Sequence, residues 1–191
     1  MSEVRVAFTR GVEFDELVEH ARDQGWRAET PSGYPVPATD PLEADAYVFL
    51  WRFGVDGIAR FVDDEVTEVQ FIQLDGEGAH TTATILAEKF STVSYADCLN
   101  LLNGQISTDE REKALEMIGL IAPRDYASGV HEAIFGGLES DSSVIRTAAI
   151  SAILQLSWVE FRSALRHVVD SDPDPNNRAY ASNVLHALPP V

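Results

Sequence analysis

Hydrophobic and polar positions in the first part of the chain predict a mixture of strands and helices. Val4 to Phe8 alternates and is rich in β-branched and aromatic residues, which predicts a strand. Phe14 to Gln24 repeats apolar residues at helical spacing and stops at Gly25, a common end for a helix. Trp26 to Glu29 has the pattern of a short strand. This β-α-β opening predicts that the third element packs beside the first.

Similar patterns predict the remaining elements of residues 1–106. They are a proline-rich loop from Thr30 to Pro41, strands from Ala46 to Trp51 and from Val66 to Leu74, and helices from Thr81 to Phe90 and from Tyr95 to Leu102. Helices and about four strands in this order fit a small α/β sandwich, ferredoxin-like or similar. The fold class predicted for the whole chain is α+β, with a first domain at 1–106 and a second at 107–191.

The second domain is predicted from a pattern that occurs three times. Each copy has an arginine, an alanine three positions later, a small or apolar residue at the sixth position and an aliphatic residue at the tenth. The copies are Arg111, Ala114, Met117 and Ile121; Arg146, Ala149, Ala152 and Leu156; and Arg178, Ala181, Val184 and Leu188. Each copy follows an acidic turn, and helical patterns also span Tyr126 to Leu138 and Trp158 to Val169. We therefore expect five helices over residues 107–188, stacked as antiparallel pairs.

An acidic turn followed by a helix with an early arginine and small inner residues resembles HEAT-like repeats of the phycobilisome-lyase type. Residues 141–154 carry the resemblance best. It implies an antiparallel helical stack in which arginines pair with the acidic turns of neighbouring repeats. It places Arg146 over Asp141 or Asp109, and Arg178 over Asp172 or Asp174. Scaffolds of this kind bind other proteins through extended surfaces.

The chain is strongly acidic, with 14 Lys and Arg residues against 31 Asp and Glu residues and a net charge of −17. Most of the excess lies in residues 1–106. Such a surface repels phosphate backbones and anionic lipids, so we expect neither nucleic acid nor a membrane as partner. The acidity either keeps the protein soluble or attracts a basic protein. One cysteine, no leader pattern and no apolar run near the ~20 residues of a membrane span favour a cytoplasmic location.

Acidic residues on predicted turns are the first candidates for a partner-binding surface. They are Asp63, Asp64, Glu65, Glu68, Asp75 and Glu77. Trp158 is a further candidate because it begins a helix at a turn, where repeats of this type are often exposed. The alternative for Trp158 is packing between repeats. The surface would then be acidic, and the expected partner is a basic protein.

Residues that could carry chemistry are few. The five histidines lack paired ligand spacing and Cys98 has no cysteine partner, so no metal site and no cofactor are predicted. We expect Cys98 to be buried. Asp75 to His80 is the most site-like stretch, because its glycines could let the backbone approach an anion. It also fits a plain strand-to-helix turn in which His80 or Thr81 caps the helix.

These patterns favour a non-enzymatic protein-binding module, acting as an adaptor, an inhibitor or an immunity-type protein. The alternative is an enzyme or ligand sensor with a site near Asp75 to His80. The oligomeric state stays open.

Overall fold

The computed structural model describes residues 3–38, 46–65 and 68–190. The chain divides into two compact units, Met1–Ser94 and Tyr95–Val191. The first contains a seven-stranded sheet and two helices, and the second is helical, so the class is α+β as predicted. The helix α3, Tyr95–Leu102, belongs to the second unit, whereas the sequence pattern predicts it in the first domain, at 1–106.

The sheet of the first unit is antiparallel at every described pairing. Its strands are β1 (Val4–Phe8), β2 (Arg27–Ala28), β3 (Val36–Pro37), β4 (Ala46–Phe53), β5 (Gly57–Asp64), β6 (Val69–Asp75) and β7 (Thr92–Val93). Their order across the sheet is β2-β4-β5-β6-β1-β7, and β3 also pairs with β4. The three long strands β4, β5 and β6 follow one another in the chain and pair as neighbours, so they form the middle of the sheet.

The position of β2 corrects one prediction. The strand pairs with β4, with Arg27 opposite Arg52, and does not lie beside β1. Both sides of β1 are already occupied, because Val6 lies opposite Ile72 of β6 and Ala7 lies opposite Val93 of β7. The opening β-α-β segment therefore crosses most of the sheet.

The sequence pattern does not predict strand β5. It indicates no element at residues 57–64 and a turn at Asp63 and Asp64. They lie in the strand instead, opposite Tyr47 and Ala46 of β4. Ala59 and Phe61 alternate along this segment and face the helices. Polar residues at several other positions make this strand pattern hard to recognise in the sequence.

Two other segments differ in detail from the prediction. The proline-rich stretch contains β3, whose Pro37 lacks an N–H donor and fits the short strand beside β4. The last residues of that predicted loop, 39–41, lie outside the described residues. The strand predicted at 66–74 is observed at Val69–Asp75, and residues 66 and 67 are also outside the described part.

One face of the sheet packs against α1 (Phe14–Asp23) and α2 (Ala79–Lys89). A row of apolar side chains crosses this face from strand to strand: Val6, Ile72, Phe61 and Phe49 are consecutive cross-strand partners. Leu17 of α1 and Leu86 of α2 pack on the same cluster and are fully buried. Burial of large apolar side chains is the main stabilising contribution here.

The second unit consists of helices stacked in pairs. After α3 come α4 (Thr108–Ile121), α5 (Ser128–Leu138), α6 (Ser143–Leu156), α7 (Arg162–Ser171) and α8 (Pro175–Ala187). Five α-helices thus occupy residues 108–187, as the periodicity predicts, with a 3-10 turn at Val159–Phe161 before α7. The pairs are α3 with α4, α5 with α6, and α7 with α8. The second helices form a row of their own, because α4 packs on α6 and α6 on α8.

Small residues allow α6 to pack closely on both α4 and α5. A Cβ atom placed on Gly119 of α4 would lie 2.7 Å from the Cα atom of Ala152 in α6. A Cβ atom on Gly137 of α5 would lie 3.0 Å from the Cβ atom of Ala149. Both alanines are fully buried. The alanine and glycine positions therefore set the distance between helices, and larger side chains would separate them.

Candidate interaction surface

The three repeated arginines share one structural role. Each donates from Nη1 to a backbone carbonyl at, or just beyond, the end of the first helix of its own pair. The bonds are Arg111 to the carbonyl of Leu102 (3.4 Å), Arg146 to that of Ser140 (2.8 Å) and Arg178 to that of Asp172 (2.6 Å). Carbonyls at a helix C-terminus have no partner within the helix and carry partial negative charge. The arginines therefore tie the two helices of each pair together.

Arg146 also connects neighbouring pairs through a buried ion pair with Asp172. Its Nε donates to Oδ2 at 2.7 Å and its Nη2 donates to Oδ1 at 3.0 Å. The side chains are only 8 % and 2 % exposed. The hydrogen bonds from Arg146 hold the pKa of Asp172 below its ordinary value, despite the opposing effect of burial. The partner of Arg146 is thus Asp172 of the following turn, whereas the resemblance implied Asp141 or Asp109.

Acidic residues of the turns before the second helices have roles within the fold. Glu110 forms a capping box with Ser107, whose N–H donates to the Glu110 carboxylate at 2.9 Å. Asp174 caps α8 by accepting from the N–H of Asn176 at 2.8 Å. In the turn between α5 and α6, Asp141 is exposed, and its carbonyl accepts from Arg146 at 3.1 Å.

A groove runs between α5 and α7. Two adjoining cavities of about 300 Å³ and 290 Å³ share Leu138, Glu139, His167 and Val168 in their lining. One adds the apolar residues Phe135 and Ala164, and the other adds Ser140, Asp141 and the Arg146–Asp172 pair. The groove therefore changes along its length from an apolar end to a polar and acidic end.

A cluster of aromatic rings lies next to this groove. His131 stacks on Phe161 with ring centroids 4.6 Å apart, and the rings of Trp158 and Phe161 are nearly parallel at 6.1 Å. Tyr126 and Phe135 contact the cluster and remain 51 % and 40 % exposed. Tyr126 and Phe135 thus present exposed aromatic rings beside the groove.

Trp158, one of the residues predicted to bind a partner, lies inside that cluster. Its side chain is 5 % exposed, and its Nε1 donates to the carbonyl of Arg124 at 2.7 Å. The alternative of packing between helices is therefore the observed one. Sequence reasoning missed Phe135, although one signal was available. Val130, Ile134 and Leu138 recur at four-residue spacing and mark the buried face of α5, and Phe135 is an apolar residue that falls beside this face.

The predicted acidic candidates form two separate groups. Asp63, Asp64, Glu65 and Glu68 lie around the connection from β5 to β6, with Asp64 opposite Val69. Asp75 and Glu77 lie at the other end of β6. With a rise of ~3.4 Å per residue, the length of β6 separates the groups by roughly 20 Å.

Only some of these acids present their carboxylates on the surface. Glu65, Glu68 and Glu77 are exposed, whereas Asp64 is 9 % exposed. Asp63 accepts a hydrogen bond from Nε2 of Gln70 at 3.0 Å, and Asp75 accepts one from Nε2 of Gln73 at 2.9 Å. The strand positions of Asp63, Asp64 and Asp75 explain this, because side chains there pack beside cross-strand neighbours.

The stretch from Asp75 to His80 is a tight strand-to-helix turn. Gly76 and Gly78 have φ angles of 104° and 88°, which favour glycine. A Cβ atom on Gly76 would lie 2.9 Å from the Cα atom of Gly57, so the glycine also permits a close backbone contact. The N-cap of α2 is Gly78, and the prediction that His80 or Thr81 caps this helix is wrong.

Cys98 of α3 is fully buried, as predicted. Burial, reinforced by the negative charge of Asp97, raises the pKa of its thiol to about 11. The thiol therefore stays protonated at neutral pH and is a poor nucleophile.

Within the part of the chain that the structure describes, no group of three or more His, Cys, Asp or Glu residues is arranged to hold a metal ion. Helices there are too short or too polar to cross a bilayer. Comparisons with protein families, with curated proteins and with solved structures find no match to this chain.

Proposed function

We propose that this chain is a protein-binding module that recognises its partner through the helical unit. The observation that carries the proposal is the groove between α5 and α7, next to the exposed rings of Tyr126 and Phe135. Exposed aromatic residues beside a concave surface are typical of protein recognition sites. Adaptor, inhibitor and immunity-type roles all belong to this class.

The helical unit is, in this proposal, a short HEAT-like stack. Three helix pairs, a common row of second helices and an arginine that ties each pair together support it. In two pairs the arginine reaches the carbonyl six residues before it, and in the first pair it reaches nine residues back. The repeat is therefore most regular in the second and third pairs, where the groove lies.

For the sheet unit we propose an extended ferredoxin-like arrangement. The strand order β7-β1-β6-β5, with α1 and α2 packed on one face, supports this proposal, because it is the strand order of that fold once β2, β3 and β4 are set aside. The strands β2, β3 and β4 would be an addition beyond β5. A fold of this kind supports many functions, so it leaves the choice of function to the surface of the molecule.

The expected partner is a basic protein, because the chain carries a net charge of −17. Opposite charge speeds the encounter of two proteins and selects against acidic competitors. The alternative, an enzyme or sensor with its site at Asp75 to His80, has less support, since the two glycines of that stretch are explained by the turn itself.

A photo-crosslinking experiment tests the proposal. A photoreactive amino acid is placed singly at Tyr126, Phe135 or Val144 on the helical unit, and at Tyr34 or Val55 on the sheet unit. All five positions are exposed, so the variants should fold equally well. In cells of the source organism we expect a discrete protein adduct from helical positions. Absence of protein adducts at all five would contradict a binding function, and adducts from the sheet unit alone would place recognition elsewhere.

A further inference from the structure

The two ends of the groove between α5 and α7 present different chemistry to a ligand. Leu138 and Val168 form an apolar floor that both parts of the groove share, and Glu139 and His167 also line both parts. At one end Phe135 adds an exposed aromatic rim. At the other end the lining adds Ser140, Asp141, Ser171 and the Arg146–Asp172 pair. A ligand that fills the groove must therefore combine an apolar group with a polar one.

The charge of the polar end can be assigned from its contacts. Asp172 and Arg146 neutralise one another through two short hydrogen bonds and are buried. Glu139 and Asp141 are exposed acids on the same rim. The hydrogen bond to Asp172 is the main cause that raises the pKa of Arg146, and the charge of Asp141 adds to it, so the guanidinium is already matched by Asp172. The carboxylates of Glu139 and Asp141 therefore give this rim its negative charge, beside the exposed imidazole of His167.

We propose that this groove binds a basic, amphipathic segment of a partner protein. An aliphatic side chain of the segment lies on Leu138 and Val168 against the ring of Phe135, and a nearby Lys or Arg side chain reaches Glu139 and Asp141. The proposal rests on the proposed binding function and adds the site and the chemistry of the partner.

Charge and apolar contact would contribute in different ways. The apolar part of the groove provides contact area from which water is excluded. Such area carries most of the affinity in interfaces of this kind. The two carboxylates select for a basic segment and speed its association. An acidic segment or a nucleic acid would bring negative charge against Glu139 and Asp141, so neither fits this rim.

The test uses a random peptide library displayed on phage, with the full-length protein as bait. Enriched peptides are synthesised, and their Kd values are measured with three variants. Phe135→Asp changes the apolar rim, and Glu139→Lys with Asp141→Lys reverses the acidic rim. Glu16→Lys with Glu88→Lys is the matched control, because it changes the net charge equally at exposed positions on α1 and α2.

We expect enriched peptides to share an aliphatic residue and a Lys or Arg within about one helical turn. Either groove variant should weaken their binding by about ten-fold or more, and the control by about two-fold or less. Circular dichroism confirms that each variant is folded.

Three results would overturn the proposal: no enriched peptide, enrichment of acidic peptides, or equal loss of binding in the groove variants and the control. If photo-crosslinking still yields a protein adduct from another helical position, the binding function stands and only the groove assignment fails. If no adduct forms either, both fail.

Discussion

The sheet unit and the helical unit hold their elements together by different means. In the sheet unit, large aromatic rings fill the space between strands and helices. The ring centroids of Phe49 and Trp51, for example, are 4.5 Å apart. In the helical unit, Gly119 contacts Ala152 and a buried ion pair connects two helix pairs. Ring contacts are spread over many atoms. The helical unit also has an apolar core, but its close glycine contact and its ion pair each depend on a few atoms, so single substitutions at those positions should have large effects.

The largest effect is expected from Asp172→Ala. The substitution leaves the Arg146 guanidinium buried without its carboxylate and should destabilise the protein by about 3–5 kcal/mol. Urea denaturation measures the change. Asp174→Ala, which removes an N-cap two residues away, is the matched control and should cost about 1 kcal/mol. If the two variants lose equal stability, the ion pair contributes no more to stability than a helix N-cap does.

A smaller destabilisation is expected from Gly119→Ala, which disturbs the close contact between two helices of the same unit. The new methyl group would lie 2.7 Å from the Ala152 backbone, so the helices must separate, at a cost of about 1–3 kcal/mol. Gly136→Ala in α5 is the control, because no atom lies within 4 Å of its Cβ position. It should stabilise the protein by about 0.5–1 kcal/mol through helix propensity. If both substitutions change the midpoint of unfolding in the same direction, close packing is not what distinguishes Gly119 from Gly136.

His20 provides a pH test of the sheet unit. It is 3 % exposed, and burial, together with the charge of Lys89, lowers its pKa below 6.5, although Asp23 acts in the opposite direction. Its Nε2 has no hydrogen-bond partner among the described residues. His20 therefore binds a proton more readily in the unfolded chain than in the folded protein. The stabilising contribution of neutral His20 is complete above pH 6.5 and is lost as the pH falls below 6.5. Free energies of unfolding measured from pH 8 to pH 5 should fall less steeply in His20→Leu than in the natural protein. Parallel curves would contradict the assignment.

The smallest effect concerns the end of α6. Ser157 has a φ angle of 55°, a conformation that favours glycine at helix ends. Ser157→Gly relieves this strain but removes the hydrogen bond from Ser157 Oγ to the carbonyl of Leu154. We expect a gain of less than about 1 kcal/mol. Ser157→Ala, which loses the bond and keeps the strain, should be less stable than the natural protein. A thermal melt with both variants in parallel distinguishes the two contributions.

Much of the helical unit could be predicted from the sequence because its pattern is local. The spacing of Arg146, Ala149 and Ala152 lies within one helix, and periodicity alone reveals it. The partner of Arg146 could not be predicted in the same way. Asp172 lies 26 residues further along the chain, and the choice between several acidic turns depends on how the pairs stack.

In the sheet unit, the prediction failed where structure depends on distant residues. Arg60, Asp63 and Asp64 make β5 resemble a loop, and the neighbours β4 and β6 stabilise it as a strand. For the candidate surface, the exposure of an aromatic side chain could not be predicted from its position at a turn, because burial depends on tertiary contacts. Trp158 is covered, whereas Phe135 is exposed.

The pairing of β1 has a consequence for synthesis on the ribosome. This strand is made before every other element of the sheet unit, yet its two neighbours are β6 and β7, among the last strands of that unit. At ~5–20 residues per second, the chain needs roughly 5–20 seconds to extend from β1 to β7. Until β6 and β7 have been made, Val4, Val6 and Phe8 lack the strand neighbours with which they pair in the folded unit. Nascent β1 is thus the segment of this unit for which chaperone binding during translation would matter most.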